Sequence, residues 1–199
     1  MRSTFDLEAA LRRVKPAKRR KPLRRRGTFN FVQDDAVPAN VGPVLLDTCV
    51  YLDAGRNTLP LGARRLVASP HLFHCSVCVG EIAYTFGRLD PTHADTPATR
   101  DFMREILGRV RAYRTVAPDS DDYVEAGIIT GTLVRTQRLG RPERRKLLSD
   151  VLVFLTARRI GYPVLTANAK DFDLIQQLAP SGKALYYSPV APPAPATSA

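Results

Sequence analysis

Val44-Leu45-Leu46-Asp47-Thr48-Cys49-Val50-Tyr51-Leu52 decides the fold. Its first three residues are apolar without alternation, as in a strand buried on both faces of a parallel sheet. An aspartate ends the run. In open α/β sheets, ligands bind just outside the carboxyl ends of the strands. A carboxylate placed there is costly to bury unless something cationic meets it.

The same pattern repeats outward from this stretch. Strands are expected over 43–47, 71–76, 115–117, 163–167 and 184–188, and helices over 61–69, 77–89, 96–113, 120–139, 142–160 and 171–178. Phe102, Ile106, Leu107 and Val110 form one stripe at helical spacing. Pro142 and Glu143 suit the first turn of a helix that Gly161 stops. Strands alternating with helices imply right-handed crossovers and an α/β fold with a central parallel sheet of about five strands. The domain is expected over 43–188. Before it, 1–42 reads as a basic, disordered extension, with a short amphipathic helix over 5–14 presenting Phe5, Leu7, Leu11 and Val14. After it, 189–199 reads as a Pro/Ala-rich tail.

Composition narrows the class. The 199 residues are 44% hydrophobic, enough for one substantial core. No apolar stretch approaches the roughly 18 residues of a membrane span, and no apolar signal core follows the first basic residues. Three cysteines, an odd number, argue against a disulfide framework and suit a reducing cytoplasm. The formal charge of +11 is mostly a property of one segment. Residues 1–27 hold eleven Lys or Arg against Asp6 and Glu8, net +9, and the rest of the chain nets +2. Such a block binds polyanions without sequence preference.

Four stretches place acids in apolar settings. Asp47 ends the first strand. Glu81 stands in a helix with no other charge before Arg88. Asp150 has Leu147, Val153 and Phe154 as helical neighbours. Asn168 and Asp171 follow Pro163-Val164-Leu165, a second strand end. Each acid alone has a structural explanation: a cap for Asp171, a solvated face for Glu81, a pairing with Arg144, Arg145 or Lys146 for Asp150. Gathered in one cleft, they would repel one another and raise each other's pKa. Divalent cations remove that conflict, and oxygen donors without His or Cys suit Mg2+ or Mn2+. Such a site binds phosphates and activates water for in-line attack.

These residues resemble the PIN-domain ribonucleases and, within them, the VapC-type toxins of toxin–antitoxin pairs. The matching stretches are Leu45 to Leu52, Val79-Gly80-Glu81-Ile82, Asp150-Val151-Leu152 with Ala157, and Val164 to Phe172, over about residues 43–188. The resemblance implies a three-layer α/β/α PIN-like fold and an endoribonuclease that hydrolyses RNA phosphodiester bonds. It makes Asp47, Glu81 and Asp150 the carboxylates that hold Mg2+ or Mn2+. The fourth position falls on Asn168 or Asp171, and the hydroxyls of Thr48 and Thr166 are within the pattern. It also implies RNA as substrate, a cognate antitoxin and a homodimer. The basic extension lies outside the family pattern. An RNA-processing nuclease, a DNA flap nuclease or a non-catalytic nucleic-acid-binding module would share the same motifs.

Other residues carry less. His71, His74, Cys75 and Cys78 form a compressed cluster expected to pack in the core rather than bind zinc. Gly127 and Gly131 are expected at a close helix contact. Asp119, Asp121 and Asp122 suit a helix N-terminus. Arg144, Arg145 and Lys146 are candidate phosphate contacts, and Tyr51 and Tyr84 are the best placed rings for stacking bases.

Overall fold

Short apolar strands separated by helices can pair only in parallel, and they do so here. The computed structural model describes residues 5–27, 29, 31–32 and 42–192. β1 (Val44–Leu46), β2 (Leu72–Cys75), β3 (Thr115–Val116), β4 (Val164–Thr166) and β5 (Ala184–Tyr186) form one all-parallel sheet in the order β3-β2-β1-β4-β5. Helices flank it: α1 (Leu7–Val14), α2 (Thr48–Gly55), α3 (Leu61–Val67), α4 (Ser76–Arg88), α5 (Thr96–Arg109), α6 (Ser120–Gln137), α7 (Arg141–Arg159) and α8 (Ala169–Leu178). The α/β class with a five-stranded parallel sheet is therefore as the sequence predicts. Much of 1–42 and most of 189–199 lie outside the described residues.

The strand order locates a crevice. From β1 the chain builds outward through β2 to β3, then returns past β1 to add β4 and β5 on the other side. The order thus reverses between β1 and β4, and a crevice opens outside their carboxyl ends. Leu46 pairs with Leu165, and the Asp47 amide donates to the Leu165 carbonyl at 3.1 Å. The residues that follow β1 and β4 therefore emerge side by side. Both strands are wholly buried, as their unbroken apolar character requires.

Several local expectations change. The sequence reading assigns no element to Thr48–Gly55, where Thr, Val and Tyr have weak helix propensity. The Asp47 side chain caps α2 through the Thr48 amide, and burial of Val50 and Tyr51 overrides the propensity. The helix expected over 96–113 stops at Arg109, and a 3-10 turn covers Ala112–Arg114. α8 begins before Asp171, and its cap is Asn168, whose side chain accepts from the Asp171 amide at 3.4 Å. Asp119 caps α6 reciprocally with Asp122, as expected. All three cysteines are free, and His74, Cys75 and Cys78 are buried in the core, whereas His71 is exposed.

Gly127 and Gly131 do not sit at a close helix contact. Both are exposed on α6, and a Cβ built at either would meet nothing within 4 Å. Their cost to the helix is entropic and uncompensated. Gly127→Ala and Gly131→Ala are each expected to stabilise the fold by about 0.5–1 kcal/mol, read from urea denaturation midpoints. Equal or lower stability in both would show that this face is occupied.

The segment read as a disordered extension is ordered where the structure describes it, at 5–27. Asp6 caps α1 through the Ala9 amide at 2.8 Å, and its own amide donates to Asp121 Oδ1 at 2.8 Å. α1 packs on α6. Its buried residues are Ala10 and Val14, and Phe5 and Leu7 are exposed, so the expected apolar stripe is only partly used. Charge explains why the segment holds. Arg13 and Arg158 both grip Glu125, and Arg26 grips Asp173; both acids are 0% exposed. A sequence reading that counts the arm's arginines as free charge cannot see these partners.

Candidate functional site

The crevice between β1 and β4 collects the acids that the sequence singles out. Asp47 leaves the end of β1, Asn168 and Asp171 open α8 after β4, Glu81 projects from the second turn of α4, and Asp150 from the middle of α7. Asp47 and Asp150 are each only 5% exposed. Asp47 Oδ1 accepts from the Thr48 amide at 2.7 Å; its Oδ2 accepts from Thr166 Oγ1 at 2.6 Å and Cys49 Sγ at 3.2 Å. Thr48 Oγ1 donates to Glu81 Oε2. Asn168 Nδ2 bridges Asp150 Oδ2 at 3.1 Å and Asp171 Oδ2 at 3.0 Å. Lys146 Nζ donates to Asp171 Oδ2 at 3.3 Å.

Electrostatics ties these groups into one region. Burial pushes the Asp47 carboxyl above its ordinary 3.8, against hydrogen bonds from Thr166, Cys49 and the Thr48 amide, and the Glu81 charge adds to the rise. Burial also pushes Asp150 well above 3.8, with the Asp47 charge next; Lys146 opposes, and Asp171 and Glu81 add. Burial lowers Lys146, but the charges of Asp150 and Asp171 more than offset it and its pKa rises. Burial and the Asp47 charge push the Cys49 thiol up to about 12. Cys49 is therefore a protonated donor to Asp47, not a nucleophile. Sequence reasoning missed this role; its position two residues after Asp47 was the available signal.

The remaining candidates separate. Lys146, one turn before Asp150, reaches the acids; Arg144 turns to the Leu139 carbonyl at 3.4 Å and Arg145 is exposed. Only one in three consecutive positions can share the Asp150 face, since each residue turns a helix by about 100°. Tyr51 is buried against His74, with its hydroxyl 2.8 Å from Nδ1, and cannot stack a base. Tyr84 is exposed, with Arg88 over its ring. A cavity of about 460 Å³ lies beside α2 and α5, walled by Leu46, Val50, Phe102 and Ile106; none of the four acids lines it. Its wall also carries Tyr51, Asn57, His74, Glu105 and Arg109, away from the acid crevice.

The donor set suits an oxygen-seeking divalent ion in type and charge: carboxylates, one amide oxygen and two hydroxyls, with two acids raised first by burial, then Asp150 by the Asp47 charge and Asp47 by the Glu81 charge. Among the described residues, no three His, Cys, Asp or Glu side chains stand together as a finished ligand set. Their oxygens are held instead by Thr48, Thr166, Cys49 and Asn168.

The raised carboxyls carry a pH signature in metal-free buffer. Between the ordinary value of 3.8 and the higher folded-state value, the native state keeps protons that the unfolded chain has released. Stability from these groups therefore falls as pH rises through that window. His74, lowered by burial and then by Arg114, acts in the opposite direction below its ordinary 6.5. The clean readout is a difference. The melting temperature of Asp150→Asn minus that of the wild type, in chelator, is expected to grow as pH rises above 3.8. Each unit of displacement amounts to about 1.4 kcal/mol. A difference that stays flat with pH would mean Asp150 is not strained by burial.

No protein-family model matches the chain, and none of the curated proteins does. Solved structures do match. The VapBC2 complex from Rickettsia felis, crystallised with a DNA fragment from its promoter, contains a chain with TM-score 0.50 and 15% identity, covering 73% of this chain and 98% of that one. DNA-bound VapBC from Salmonella typhimurium gives 0.48 and 17%, over 72% and 97%. FitAcB from Neisseria gonorrhoeae gives 0.46 and 17%, over 72% and 96%. At 15% identity the likeness to the first is one of fold. Among the described residues, no helix is long and apolar enough to cross a membrane.

Proposed function

We propose that this chain is a Mg2+- or Mn2+-dependent endoribonuclease and the toxin of a VapBC-type pair. The observation that carries the reading is the pair of buried aspartates, Asp47 and Asp150, at the switch point of a parallel sheet, neither of them ion-paired among the described residues, while Lys146 and Arg25 pair with Asp171 instead. The residues that would hold the ion are Asp47, Glu81 and Asp150, with Asp171 and Asn168 at the fourth position. When bound, such an ion neutralises the acids, polarises a phosphodiester and activates water for in-line attack. The protein's own groups prepare the place. Thr166 and Cys49 orient Asp47, Thr48 holds Glu81, and Asn168 fixes Asp150 beside Asp171. Lys146 stands at the mouth, where a phosphate would arrive. The fold likeness to a chain of a VapBC2 complex supports an antitoxin partner; in this reading the antitoxin covers the crevice with a cation of its own, and the chain forms a homodimer.

A second reading, a nucleic-acid-binding module without catalysis, is favoured by the hydrogen bonds that already satisfy the acids. Titrating chelator-stripped protein with MnCl2 separates the two. A nuclease site should raise the melting temperature, through a stabilisation of about 2.7 kcal/mol at a hundredfold excess over Kd, and support cleavage of single-stranded RNA. No Mn2+ shift and no cleavage would overturn the nuclease and leave the binding module.

A further inference from the structure

We infer that residues 19–27 form a fixed cationic track that guides the phosphate backbone of a nucleic-acid strand into the acidic crevice. The inference rests on the nuclease reading and deepens it: it names how the substrate approaches and which charges it follows. Three observations carry it.

The track is fastened along its length. The Arg135 guanidinium donates to the carbonyls of Pro16 at 3.0 Å and Arg19 at 2.9 Å, and Gln137 Nε2 donates to the Leu23 carbonyl at 3.4 Å. Gln177 Nε2 donates to the Arg24 carbonyl at 3.0 Å, and the Arg26 amide donates to Asp173 Oδ2 at 2.9 Å. The Arg26 guanidinium binds Asp173 and also Gln176 Oε1, the latter at 2.7 Å. These anchors use backbone carbonyls and one buried acid, so they hold the strand of protein without consuming its other cations.

The track points at the site. α8 begins at the crevice with Asn168 as its cap, and the segment is pinned to α8 through Asp173, Gln176 and Gln177. Arg25 Nε donates to the Lys170 carbonyl at 3.3 Å, and its guanidinium comes within 4.0 Å of Asp171. Lys146 reaches the same carboxylate from α7. The arm therefore ends against a residue of the proposed metal site.

The charges along it are unspent. Arg20, Lys21 and Arg24 are exposed, and among the described residues none of them is paired with an acid. Residues 20–25 span at most about 20 Å when extended, room for several phosphates. The crevice itself is negative and would repel a polyanion, so a cationic approach is what brings one in. No aromatic residue lies between 19 and 27. Contacts there are with phosphate, which position a strand without reading its bases.

The test is binding, in chelator, so that cleavage plays no part. A fluorescein-labelled single-stranded RNA is titrated with the full chain, with Lys21→Gln/Arg24→Gln/Arg25→Gln, and with Arg88→Gln/Arg100→Gln/Arg111→Gln. The last set removes the same charge from α4, α5 and the loop after it. The track set should bind more weakly and lose about 2 from the slope of log K against log salt, at about 0.7 per phosphate contact; the control set should lose neither. Equal weakening in both sets, or none in the track set, would overturn the inference. A DNA strand of the same sequence should lose affinity by the same factor, and a loss confined to RNA would overturn the phosphate assignment. Unchanged melting temperatures confirm that the variants fold, since the anchors at Arg26 and Arg13 are intact. If no metal supports cleavage while the track set still loses binding, the nuclease reading falls and the track stands.

Discussion

Asp47→Asn is expected to lower Mn2+-dependent RNA cleavage by at least about a hundredfold, the upper end of the roughly 10–100-fold cost of losing a residue that only orients a metal ligand. The same substitution should leave the metal-free protein as stable as the wild type or more so. Asparagine caps a helix as well as aspartate, so α2 keeps its start at the Thr48 amide. The hydroxyl of Thr166 can rotate to suit the new amide. What disappears is a buried carboxylate whose pKa is raised by burial and by Glu81. The Mn2+-induced rise in melting temperature should disappear with it. Cleavage at the wild-type rate would end the nuclease proposal. A lower metal-free melting temperature would show that Asp47 serves the fold, through Thr166 and Cys49, rather than an ion.

How much of this was legible follows from which residues act locally. Val44 to Leu46 announce a buried parallel strand by composition alone, and the same holds for Val164 and Leu165; their neighbours in the sheet are implied by the alternation. That composition places Asp47 and Asn168 at one edge from the sequence alone. Asp150 was legible because Leu147 and Phe154 flank it on a helical face, and both are buried. The failures share a cause, which is that the deciding partner lies far along the chain. α2 is not read from its sequence, and it buries Tyr51 against His74, more than twenty residues on. Helical phase already separates Lys146, four residues before Asp150, from Arg144 and Arg145, but the Asp171 carboxylate it meets lies on another helix. Gly127 and Gly131 suggest a tight contact by spacing, yet no element covers them. The basic arm looks disordered because Glu125 and Asp173, more than a hundred residues away, are invisible until folding brings them under Arg13 and Arg26.

That last pairing gives the second large effect. Arg26→Ala is expected to destabilise the chain by about 2–3 kcal/mol, the range for a hydrogen bond to a charged group. Asp173 is wholly buried, and without the guanidinium it keeps only the Arg26 amide and Gln177 Nε2, at 2.9 and 3.1 Å. Arg13→Ala should cost less. Glu125 would retain Arg158, whose two guanidinium nitrogens lie 2.5 and 2.9 Å from its oxygens. That partner helps keep the Glu125 carboxyl below its usual range despite burial. The order, Arg26→Ala worse than Arg13→Ala, follows from the count of cations on each acid and not from general loss of positive charge. Removal of residues 1–41 would combine both losses and strip Val14 from the surface of α6. Against a total stability of roughly 5–15 kcal/mol, that combination threatens the fold itself. Urea denaturation of the single variants tests the ordering. If both fall within about 0.5 kcal/mol of the wild type, as for surface substitutions, the arm is detached in solution and the track it forms has no fixed path to the acids.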